Sequence, residues 1–148
     1  MLKLSIELND NSLQSGKVEA ALEQNYLNPS QELMRRLARQ GLMLGLSMER
    51  NTVKLHLVGK FKANGSAVFK ELLNTFLSQG YTSFVFDLSS LHTLDGAGVA
   101  ALVWARNQAE AAGGRATVTN PNAPLYRRLV SVNFHHLVPI ENFVLSLG

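Results

Sequence analysis

FVFDLSSLHTLDGAGVAAL, residues Phe84 to Leu102, is the stretch whose reading decides the fold. Phe84, Val85 and Phe86 make a short apolar run closed by Asp87, the pattern of a buried strand. A polar loop is expected next. Asp95 then stands where a side-chain oxygen can cap a helix whose first turn is Gly96, Ala97, Gly98 and Val99. Strand, loop and helix in that order predict an α/β unit, and the carboxyl ends of such strands are where α/β sheets place their functional residues. The small residues at the helix start leave room for close approach.

Working upstream, Leu42, Leu44, Leu46 and Met48 alternate along one strand and Val53, Leu55 and Leu57 along the next, with a polar turn near Arg50 and Asn51. One face of that hairpin must be buried. Val68, Leu72 and Phe76, flanked by Phe69, Leu73 and Leu77, then predict a helix with an apolar stripe facing the sheet, ended by Ser78, Gln79 and Gly80. Downstream of the opening stretch, Val99, Leu102 and Val103 point the next helix inward, and Ala97, Ala100, Ala101 and Ala105 permit close packing. Ala112, Gly113 and Gly114 stop it. A strand at Arg115 to Thr119 follows, then a turn and a helix with Pro124 in its first turn and Leu125, Leu129 and Val132 as its buried stripe. Leu137 to Ile140 is read as an edge strand, where Pro139 costs least, before a short last helix near Asn142 to Leu147.

Strands alternating with helices after an opening hairpin predict a mixed α/β fold. The expected sheet has four to five strands with helices packed mainly on one face. The first forty residues read as a β-α extension: a strand at Leu2 to Leu8, a helix at Val18 to Leu27, and a further helix opened by Ser30 after Pro29. Leu33, Met34 and Leu37 on that last helix require a surface, either the domain's own sheet edge or a second copy of the chain. The expected division is therefore an extension over residues 1–40 and a domain over residues 41–148.

This ordered set, with the Asp-x-x-Gly turn at Asp95 to Gly98, resembles a STAS domain, the fold of bacterial anti-sigma factor antagonists. The resemblance covers roughly Leu42 to Ile140. It implies a stand-alone, non-catalytic protein-binding module in signal transduction and transcription regulation. The implied partner is a kinase-like anti-sigma factor. In phospho-regulated members the residue after that aspartate is usually a serine or threonine. Here it is Gly96, followed by Ala97, so no phosphorylation is expected at Gly96. Thr93, one of the nearest hydroxyls, is the secondary candidate. The stretch LDGAGVAALVWARNQAEAAGG also resembles the STAS subunit of an ABC transporter for lipids, whose partner would be an ABC-type ATPase. A third reading is structural self-association through residues 1–40, giving a homodimer. The expected partner-binding residues are His92, Thr93, Leu94, Asp95, Gly96, Ala97 and Gly98, with Asp95 as cap, Gly96 and Gly98 as close-approach positions, and His92, Thr93 and Leu94 as an exposed rim.

Composition narrows the alternatives. The 148 residues are 46% hydrophobic, enough for one ordinary core. A formal charge of +3 looks basic, yet only 17% of residues are charged, which disfavours a dedicated nucleic-acid binder. Arg35, Arg36 and Arg39, and Arg127 and Arg128, read as solvated helix faces. The absence of cysteine excludes disulfides, thiolate metal sites and cysteine nucleophiles. The four histidines, His56, His92, His135 and His136, sit in no recognisable hydrolase context, and Ser89 and Ser90 lack a nucleophile-elbow motif. His56 is expected to face solvent or a helix edge. The adjacent His135 and His136 are not expected to hold a metal without a third ligand. No enzyme activity, cofactor or metal is expected. The longest apolar run, Ala97 to Ala105, is short of the roughly 20 residues of a membrane span, so direct membrane insertion is not expected and the cytoplasm is the expected location.

Overall fold

In the computed structural model, which describes residues 29–142, a helix α1 over residues 29–39 leads into a five-stranded sheet. Strands β1 (Leu42–Glu49) and β2 (Thr52–Phe61) form the antiparallel hairpin. Then come α2 (Ala63–Ser78), β3 (Ser83–Leu94), α3 (Gly96–Ala111), β4 (Ala116–Thr119), α4 (Ala123–Ser131), a 3-10 turn at Phe134–His136, and β5 (Ile140–Glu141). From β2 to β5 each strand is parallel to the next, and sheet order equals chain order. Crossovers between parallel strands are right-handed. Successive right-handed crossovers that advance in one direction place their helices on the same face, which leaves the opposite face without them.

The core lies on the helical side. Val53, Leu55, Leu57 and Phe61 of β2, Phe84, Phe86 and Leu88 of β3, and Val118 of β4 are buried there. Val68, Phe69, Leu72, Leu73 and Phe76 supply the stripe expected of α2, with Leu77 packed at its margin. Phe69 joins helix to sheet, its ring centroid 4.6 Å from that of Phe61 and 5.8 Å from that of Phe86. On α3 the buried residues are Gly98, Ala101, Leu102, Ala105 and Ala109, and Val99 and Val103 are only half-buried against the core. Small side chains bring α2 and α3 together, as the alanine content predicts. Leu33 and Leu37 of α1 are buried in the same core, and a Leu37 methyl lies near Gly65 of α2. Arg36 and Glu71 add an exposed ion pair between α1 and α2 at 3.6 Å, worth little by itself.

Several expectations are corrected. Strand β3 does not stop at Asp87 but continues through the supposed loop to Leu94. Val132 is 56% exposed because α4 ends at Ser131, one residue before it. The strand expected at Leu137 to Ile140 begins only at Ile140, because the Leu137 and Val138 amides turn back to the Phe134 carbonyl oxygen. The expected strand at Leu2 to Leu8, the helix at Val18 to Leu27 and nearly all of the final helix lie outside the described residues.

Candidate functional site

The turn between β3 and α3 is organised by one carboxylate. Asp95 is the N-cap of α3, and its Oδ1 accepts from the Gly98 amide at 2.9 Å. Its Oδ2 accepts from the Ala63 amide at 3.0 Å. The N-cap position of α2 is Lys62, whose side chain makes no capping bond, so Asp95 caps that helix from 32 residues away. Two helix N-termini thus converge on one anion, the arrangement their dipoles favour. The Gly98 amide holds the Asp95 carboxyl below its ordinary pKa; some desolvation opposes it, and the Ala63 and Ala97 amides and Lys62 add to the lowering.

The expected contact residues separate around this clamp. His92 and Gly96 are exposed, Thr93, Asp95 and Ala97 are half-buried, and Leu94 and Gly98 are buried. Leu94 therefore belongs to the core and not to the rim. Gly98 is a true close-approach position: a Cβ there would stand 2.6 Å from both the Phe61 carbonyl oxygen and Leu94 Cδ1. Gly96 is the reverse, with no atom within 4 Å of where its Cβ would be. Beyond the turn, Gly96, Ala100 and Asn107 run along the outer side of α3. Trp104, half-buried on the same helix, is overlaid by the Lys70 ammonium at 5.7 Å.

A second cluster lies on the face of the sheet opposite the crossover helices. The register pairs His56 with Asp87 but then Val58 with Ser90, so β3 carries one extra residue between those pairs. Residues three apart on a regular strand point to opposite faces. The bulge brings Asp87 and Ser90 to the same face, on either side of His56. His56 Nε2 and Ser90 Oγ are 2.8 Å apart, and His56 Nδ1 lies 3.6 Å from Asp87 Oδ2. Asp87 Oδ1 accepts from the Ser89 amide at 3.0 Å and the Asn120 side-chain amide at 3.3 Å. Burial raises the pKa of Asp87, but the bonds from Ser89 and Asn120 and the nearby His56 outweigh it, and the net shift is downward. The sequence reading passed over this trio. Its signal was the spacing of the buried residues Phe84, Phe86, Leu88, Leu91 and Leu94, which changes from two to three where β3 bulges.

The remaining candidates do not converge. The His135 and His136 rings lie 4.1 Å apart, and among the described residues no group of three or more potential ligands is placed to hold a metal ion. Among the described residues no helix is long and apolar enough to cross a membrane.

Comparison with known proteins matches residues 44–139 to the family model described as "Mlab, STAS domain". Comparison with the curated proteins finds no match. The fold is shared with solved structures at low identity. TM1081 of Thermotoga maritima is 22% identical over 68% of this chain and 82% of its own, with a TM-score of 0.62. The anti-sigma factor antagonist SpoIIAA of Bacillus, in its unphosphorylated form, is 20% identical over 67% of this chain and 88% of its own, with a TM-score of 0.59. An anti-sigma factor antagonist from Mycobacterium paratuberculosis is 14% identical over 67% and 84%, with a TM-score of 0.58. The ordered strands and helices, the Asp95 turn and the family match over residues 44–139 together show that this chain belongs to the STAS domain family.

Proposed function

We propose that the chain is a non-catalytic protein-interaction module whose docking surface is the β3–α3 turn and the outer side of α3. The observation that carries this reading is the Asp95 clamp. Both carboxylate oxygens are spent on internal amides, so the turn is held in one shape while His92, Thr93, Gly96 and Ala97 border it. A surface already ordered loses little entropy on binding. Small residues along α3 give a partner a flat place to lie. The partner class that the resemblance favours is a kinase-like anti-sigma factor, engaged in the cytoplasm. With glycine at position 96 the contact is constitutive, because a phosphate, with up to about two negative charges, has no hydroxyl there to carry it. In this reading the extension over residues 1–40 lends its last helix to the domain over residues 41–148, and any regulation has moved to Thr93 or to the extension.

Co-purification of the tagged chain from its native cells, with mass-spectrometric identification of what is captured, tests the reading. A kinase-type ATPase or a sigma regulator supports it, and a Gly96→Asp chain that folds normally should bind that protein at least about tenfold more weakly, since a charge is placed in the contact. Recovery of an ABC-type ATPase would transfer the protein to the transporter reading. Recovery of the chain alone, as a homodimer, would favour self-association.

A further inference from the structure

On the face of the sheet away from the helices, the bulged register of β3 sets Ser90, His56 and Asp87 in line, an arrangement the docking function does not use. The ordering within the line is chemical. Asp87 is held in place by the Ser89 amide and by Asn120, so its second oxygen is free to face His56 Nδ1. A carboxylate opposite Nδ1 favours the tautomer with its proton on that nitrogen, which leaves Nε2 to accept the Ser90 hydroxyl proton at 2.8 Å. This is the relation of nucleophile, base and orienting acid of a Ser-His-Asp site. The 3.6 Å step between His56 and Asp87 is looser than a closed hydrogen bond, as is common before a substrate is bound.

The imidazole is also reachable. The His56 side chain is 41% exposed, and it borders a cleft of about 350 Å³ lined by Gly45, Leu46, Ser47, Lys54 and Asp87. Gly45 is the residue paired with His56 across the hairpin, so no side chain stands directly opposite the ring.

We propose that Ser90 is an activated nucleophile that takes an acyl group from small activated carboxylic esters. The Ser90 Oγ to carbonyl-carbon bond forms and the ester carbon to alkoxide bond breaks. The serine proton passes to His56 Nε2 and from there to the departing alkoxide, which leaves as the alcohol. No electron transfer is involved. The product is a stoichiometric acyl-serine, so the face acts as a modification site and the chain need not turn over.

The test is incubation of the full chain with p-nitrophenyl acetate and, separately, with a fluorophosphonate probe, followed by intact-mass analysis and peptide mapping. The expected result is one adduct per chain, located on Ser90, with one equivalent of p-nitrophenol released in the ester reaction. His56→Gln should slow adduct formation at least tenfold, and Ser90→Ala should abolish it. Mapping on the unaltered chain locates the site whether or not the variants fold. No adduct, an adduct on Ser89, Lys54 or another residue, or an unchanged rate in a folded His56→Gln chain would each overturn the proposal.

Discussion

Replacing Asp95 by alanine removes two helix caps at once. One carboxylate accepts from Gly98 on α3 and from Ala63 on α2, and Lys62 offers α2 no side-chain cap of its own. Loss of a single N-cap typically costs about 1 kcal/mol. The bonds are charge-assisted, which strengthens them, but the turn is partly open to water, which weakens them, and about 2 kcal/mol for the pair is the working value. For a domain of this size that is a fall in Tm of about 8 °C. With a urea slope of about 1.5 kcal/mol per molar, the midpoint should move down by about 1.3 M. Asp95→Asn keeps one acceptor oxygen and loses the charge, so it should forfeit about half as much. The acid dependence has a definite sign. The folded-state pKa lies below the ordinary value of 3.8, so the contribution is complete above about pH 4 and is lost as pH falls through the folded value. The gap between the parent and Asp95→Ala chains should therefore narrow in acid. Urea titrations at neutral pH and at about pH 3 decide the matter. A neutral-pH difference below about 0.5 kcal/mol, or a gap that does not shrink in acid, would refute the double-cap account.

Other consequences follow from single positions. Leu37 is fully buried, and Leu37→Ala should cost about 2–4 kcal/mol in a denaturant titration; a change near zero would show that α1 is not part of the core. Gly98→Ala must force a Cβ against the Phe61 carbonyl oxygen, so a loss of about 1–3 kcal/mol is expected by thermal melting, and an unchanged melt would contradict the contact. Gly96→Ser enters open space and should leave stability within about 0.5 kcal/mol. If the captured partner is a kinase, ATP should then add one phosphate to the Gly96→Ser chain at position 96, as read by intact mass.

The legible parts of the fold were those governed by simple periods. The stripe of α2, the hairpin around Arg50 and Asn51, the Asp95 cap and Pro124 in the first turn of α4 each follow from local chemistry, and the structure contains all of them. The end of β3 was not legible. Its inward residues change spacing after Leu88, and a polar run with two serines reads as a loop unless the neighbouring strand is known to bulge against it. Burial of Leu94 and the line from Ser90 to Asp87 were missed together for that one reason. The openness at Gly96 was equally hidden, because a glycine in sequence cannot tell a crowded position from an empty one.

Strand β3 is also unequal in its support. Its pairing with β4 covers only Phe84 to Asp87, whereas its pairing with β2 continues to Leu94. Among the described residues, the final stretch from Leu88 is therefore held by strand neighbours on one side only, and its far end is fixed instead by Asp95, bound to the amides of Gly98 and Ala63. The β3–α3 turn is thus anchored to the sheet through β2 alone and to the two helices through one carboxylate, so the loss of Asp95 would release it on the side where no strand replaces the support.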